Sequence, residues 1–180
     1  MEKSGIVLAK RGQVWVETVI YTLIAFSLMG LVLAFVLPKI EETQDRGIIE
    51  QSIGVLQDID SLIKTLNGPG NQRTPEIGIS KGDLIIDGTG NKIYFVVESR
   101  FQYSQPGENI TVGKILVNTE EQSNINIITL TLDYAGEYDL TYQSLDQEKV
   151  LSKAPVPYKV IISETGTDSS GNPIINLEVE

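Results

Sequence analysis

Between Thr18 and Leu37 the chain reads TVIYTLIAFSLMGLVLAFVL, with no ionisable group except the phenol of Tyr21. Nothing else in the 180 residues narrows the fold as far. A helix rising 1.5 Å per residue from Gln13 to Leu37 reaches about 37 Å, against a hydrocarbon core of about 30 Å, so it crosses a bilayer with some tilt. One charge, Glu17, sits near the start of this stretch. A carboxylate there costs roughly 2.5–3.5 kcal/mol at the bilayer centre and less toward an end. Two readings stay open: Glu17 snorkels to the headgroups, or its charge has a task at that depth.

The preceding segment, MEKSGIVLAKRG, carries Lys3, Lys10 and Arg11 against Glu2. It looks like the start of a secretory signal, but the apolar run is longer than the 7–15 residues of an h-region. No small-x-small site closes that run, so it is expected to remain in the mature protein. On the far side Lys39 is diluted by Glu41, Glu42 and Asp45. The positive-inside rule then keeps the N-terminus cytoplasmic and exports everything after Pro38.

Basic residues, Gly12, a polar Gln13, Glu17 five places beyond Gly12 and a smooth apolar helix together resemble the class III signal peptide of type IV pilin-like proteins. The likeness covers roughly the first forty residues. Gln rather than Phe at the first mature position looks more like the archaeal branch, with its adhesion pilins, archaellins and accessory subunits. The resemblance implies cleavage between Gly12 and Gln13 by a membrane prepilin peptidase, with Lys10 and Arg11 as leader charges. It also implies assembly by an ATPase and a platform membrane protein, and self-association through the N-terminal helix. In that assembly Glu17 would pair with the new α-amino group of Gln13, on an adjacent subunit.

Composition removes several alternatives. The chain has no cysteine and no histidine, which excludes disulfides, thiolate chemistry, Ser-His triads and zinc or haem sites built from these ligands. Of 14 basic and 24 acidic residues, 11 and 23 remain beyond Gly12. So acidic a chain repels nucleic acid, and no basic stripe or aromatic platform offsets this.

Pro38 ends the purely apolar run and is expected to bend the helix. Apolar residues then recur at spacings of three and four: Ile48/Ile49, Ile53, Leu56, Ile59, Leu62/Ile63 and Leu66. The spacing predicts one long helix over 13–67, apolar over 13–37 and amphipathic over 38–67. Ile59 to Leu66 is expected to pack on the exported head, whereas Ile40 to Ile53 fits the head or a neighbouring subunit equally well. Asn67-Gly68-Pro69-Gly70 is a helix stop.

Beyond it, β-branched runs alternate with turn dipeptides. The predicted strands are Glu76–Ser80, Asp83–Asp87, Lys92–Glu98, Asn109–Asn118, Ile125–Asp133, Tyr138–Gln143, Tyr158–Glu164 and Ile174–Val179. Ile125–Asp133 is apolar on both faces and is expected to be central and doubly covered. The fold class is therefore α+β: a leader (1–12), a membrane-spanning helix bent near Pro38, and an antiparallel β-sandwich-like head (71–180).

Three head features could carry chemistry. Asp87-Gly88-Thr89-Gly90-Asn91, with Asp83 nearby, offers calcium oxygen ligands but lacks the EF-hand spacing and fits a hairpin turn better. Glu120-Glu121 would point to opposite faces of a strand and reads as a solvated loop. Asn109-Ile110-Thr111 is a sequon, making Asn109 a candidate for N-glycosylation. No active-site constellation, metal site or cofactor site emerges.

The expectation is a non-enzymatic structural subunit of a type IV pilus-like surface filament with an adhesion or related role. Before assembly it sits in the cell membrane as a single-pass protein with its head outside; afterwards it is extracellular. Two alternatives remain: an archaellum accessory or stator subunit, and a membrane-anchored β binding domain that never polymerises.

Overall fold

The structure, a computed structural model, describes residues 14–180 in full and only the helical backbone from Gly5 to Gln13. The expected leader and peptidase site, with Lys10, Arg11, Gly12 and Gln13, thus lie outside the fully described residues. The chain divides into two compact units, the first ending at Glu41 and the second running Glu42–Glu180.

Helix α1 (Gly5–Lys64) contributes to both units and continues through Pro38 without interruption. Its end falls slightly before the predicted one, because the backbone changes its bonding there. Thr65 and Leu66 donate their N–H groups to Leu62 and Ile63, at 3.0 and 3.1 Å, three residues back instead of four. Such a tightened last turn satisfies carbonyls that the α-helical ladder leaves over. Gly68 and Gly70, at φ of 106° and 89°, then turn the chain through a region that side chains resist.

From residue 14 to 41 α1 is exposed on every side. Its hydroxyls are satisfied within the helix: Thr18, Thr22 and Ser27 donate to the carbonyls of Val14, Thr18 and Leu23 at 2.7–2.9 Å. Polar groups bonded in this way can sit in an apolar medium at little cost.

The second unit holds the amphipathic part of α1 and two sheets. Six strands form one sheet: β3 (Asp83–Asp87), β4 (Lys92–Ser99), β5 (Asn109–Val112), β6 (Ile115–Gln122), β7 (Ile125–Asp133) and β9 (Glu148–Ser152). They lie in the order β5-β6-β7-β4-β3-β9, every pair antiparallel. The other sheet contains β1 (Gln72–Arg73), β8 (Asp139–Tyr142), β10 (Tyr158–Thr167) and β11 (Pro173–Val179), with the short β2 (Glu76–Ile77) also paired to β10. Its one parallel pair joins β11 to β8.

Both sheets and the helix contribute to one buried cluster. Ile49, Ile53, Leu56, Ile59 and Ile63 of α1, with Leu66 just beyond its end, all belong to it. The choice left open for Ile49 and Ile53 is thereby decided, since their own head covers them. Ile40, 46% exposed, stays outside. Facing the stripe are residues such as Phe95, Leu130 and Leu132 of the larger sheet and Ile162, Ile175 and Leu177 of the smaller.

Three strand predictions need correction. The single strand expected over Asn109–Asn118 is a hairpin, because Gly113, at φ 64°, turns the chain between β5 and β6. Strand β9, with charged Glu148 and Lys149, carries too little apolar pattern to be foreseen. Strand β7 is central, but only Ile128, Leu130 and Leu132 are fully buried; Ile125, Ile127, Thr129 and Thr131 remain partly open on the other face.

Candidate functional site

Two regions qualify, one on each unit. The first is the surface of α1 from Val14 to Ile40. Trp15, Tyr21, Phe26 and Phe35 are each about two-thirds exposed or more, and Leu, Ile and Val side chains fill the spaces around them. This stretch is long and apolar enough to cross a membrane, and none of its most apolar window is buried. An apolar surface all round a helix requires an apolar surrounding all round it, either lipid or other helices. Glu17 lies one turn inside this surface and is exposed with it; among the described residues, no cationic side chain is within ion-pair distance.

The second region is where α1 is secured to the head through buried polar contacts. Asp45, 6% exposed, accepts from Lys81 Nζ at 2.5 Å and from the backbone N–H of Arg100 at 2.7 Å. The next residue, Arg46, lies 5.6 Å from the ring centre of Phe101, a cation–π distance. Farther along, Asp60 accepts from the Tyr134 hydroxyl at 3.2 Å and from Lys64 at 2.7 Å. Tyr134 is fully buried, and burial first, then the Asp60 carboxylate, push its phenol far above the usual range. At the helix exit Glu164 Oε2 accepts the Gly68 N–H at 2.8 Å, while the Glu164 carbonyl accepts that of Gly70 at 2.9 Å. Sequence reasoning missed these anchors, because their partners are 36 to 96 residues apart.

The other candidates are placed as follows. Asn109 is exposed on β5, and its Oδ1 accepts from Asn118 Nδ2 at 2.8 Å. The Asp87–Asn91 loop closes the β3–β4 hairpin, with Asp87 Oδ1 accepting the Gly90 N–H at 2.9 Å and Asn91 at φ 53°. Glu120 and Glu121 stand exposed on β6, in a strand and not in the expected loop. Among the described residues no cluster of acidic side chains is arranged to hold a metal ion. At the tip joining β10 to β11, Asp168 accepts N–H groups from Asn172 and Ser170, which hold its carboxyl below the ordinary carboxylate range. None of these sites places a nucleophile beside a base. Comparison with protein-family models, with curated proteins and with solved structures gave no match.

Proposed function

We propose that this chain is a type IV pilin-like subunit whose N-terminal helix holds it in a membrane and then packs into a surface filament. The observation that carries the reading is the uncovered apolar surface of α1 from Val14 to Ile40, interrupted by Glu17 alone among charges up to Leu37. Lipid and a bundle of like helices are both apolar surroundings, so transfer between them sacrifices little hydrophobic stabilisation. Cleavage after Gly12 would remove Lys3, Lys10 and Arg11 and create an amine at Gln13. Glu17 would then find a cationic partner on a neighbouring subunit. The head, facing outside, would supply the filament surface, and the Asn109 sequon on exposed β5 would be open to glycosylation.

N-terminal mass spectrometry tests the processing step. The expected mature start is Gln13, and Gly12→Val should block cleavage; an intact N-terminus beside an active peptidase would refute the reading. Assembly is tested by Glu17→Gln, followed in membrane and sheared-filament fractions. Loss of a buried ion-pair partner costs about 3–5 kcal/mol, so cleavage should continue while incorporation falls sharply. Equal incorporation would mean that Glu17 only snorkels. No filament fraction for the wild type would favour the accessory or non-polymerising anchored reading.

A further inference from the structure

The outer face of the six-stranded sheet, turned away from the buried cluster, differs from the rest of the head surface. Strand register sets Val150, Ile85, Tyr94, Thr131 and Leu116 side by side across β9, β3, β4, β7 and β6. Val150 and Leu116 are 46% and 41% exposed. Ile85, within this row, is only 6% exposed although it lies outside the main core cluster. Val96 and Thr129 form the next row of the same face.

Carboxylates surround this centre. The register places Asp87, Glu148 and Asp133 at one end and Asp83, Glu98 and Glu120 toward the other. Lys92, 3.4 Å from Asp133, is the one base that the strands put on this face. The head as a whole is less one-sided, with about two acids per base. The smaller sheet's outer face has a different character: buried Asn176 accepts from Thr141 at 3.1 Å and from the Ser144 N–H at 2.7 Å, a polar network complete in itself.

We infer that the outer face of the six-stranded sheet docks a protein surface with an aliphatic or aromatic centre and a rim of lysine and arginine. An apolar patch with a one-signed rim favours the opposite sign across the interface. A second copy of this face would set carboxylates against carboxylates, which opposes two-fold self-pairing. The inference does not depend on the filament reading, since a stator or an anchored domain would present the same face.

Site-directed photo-crosslinking of the full chain in detergent tests this. The sequence lacks cysteine, so Leu116→Cys carries a single benzophenone, and Thr165→Cys on the other sheet is the control. The probes are two synthetic strand-forming peptides with the same Val/Tyr alternation, one with Lys and Arg between, the other with Glu. The label at 116 should capture the cationic peptide and not the anionic one. Adding Asp87→Asn, Asp133→Asn and Glu148→Gln should lower that yield about fivefold, while Lys92→Gln should raise it. Circular dichroism matching the wild type keeps misfolded variants out of the comparison. Equal capture of the cationic peptide at 116 and 165, or no capture at 116, would overturn the inference. So would adducts mainly between two copies of the chain.

Discussion

The two halves of α1 are both rich in large aliphatic residues, and they stand at opposite extremes of exposure. From Val14 to Ile40 every large apolar side chain is open, whereas Ile49, Ile53, Leu56, Ile59 and Ile63, and Leu66 just past the helix end, are nearly or fully buried. Distribution around the helix makes the difference. In the first half apolar groups occur at every angle, so no single protein face could cover them. In the second, exposed Gln51, Gln57, Asp58 and Lys64 leave one stripe, which two sheets cover. A helix of uniform polarity seeks a uniform medium, and a striped one seeks a single partner.

Deletion tests this contrast most severely. A fragment beginning at Glu42 keeps the stripe and should fold, whereas one beginning at Asn71 lacks a wall of its own core and should not. Far-ultraviolet circular dichroism and hydrogen exchange distinguish these outcomes; a cooperative unfolding transition from the shorter fragment would break the comparison. Next comes Leu56→Ala, expected to cost about 2–5 kcal/mol in the detergent-solubilised chain. Leu33→Ala should leave head unfolding unchanged, because that side chain is exposed and does not belong to the buried cluster.

Asp45→Ala should cost about 1–3 kcal/mol, since it leaves the Arg100 N–H without its carboxylate acceptor. Asp45→Asn keeps an acceptor there and should cost less. The smallest effect belongs to Tyr134→Phe, about 1 kcal/mol near neutrality, for the lost bond to Asp60. Its signature is in the alkaline range. Because burial holds this phenol protonated well above the ordinary tyrosine value of about 10 in the folded state, the unfolded chain releases the proton first. Stability should therefore fall as pH rises above about 10, by up to roughly 1.4 kcal/mol per unit for each such group. Tyr134→Phe should flatten that fall without abolishing it, as Tyr94 and Tyr138 are shifted in the same direction.

Legibility in the sequence followed the range of the interactions. The apolar run, the helical stripe and most strands are written in periodicities of a few residues, and the structure contains them. The β5–β6 turn was visible only as Gly113-Lys114 inside an otherwise continuous β-branched run. Strand β9 is held by register against β3, with Leu151 opposite Leu84, rather than by its own pattern. The expected second cover on β7 failed because Ile127, Thr129 and Thr131 belong to the sheet's outer face, where moderate apolarity does not require burial. Glu17 stood out because a carboxylate among apolar neighbours is conspicuous. Asp45 and Glu164 did not, since nothing local separates an anchoring acid from a solvated one.

The parallel pairing of β11 with β8 has a consequence for biogenesis. Strand β11 alone connects β10 to β8, and it follows both in the chain. During synthesis the stripe of α1 therefore emerges more than a hundred residues before the strand that completes its smaller wall. For that interval Ile49 to Leu66 has only a partial shelter. A ribosome stalled before Pro173 should leave the head open to protease, and release of the next seven residues should close it in one cooperative step.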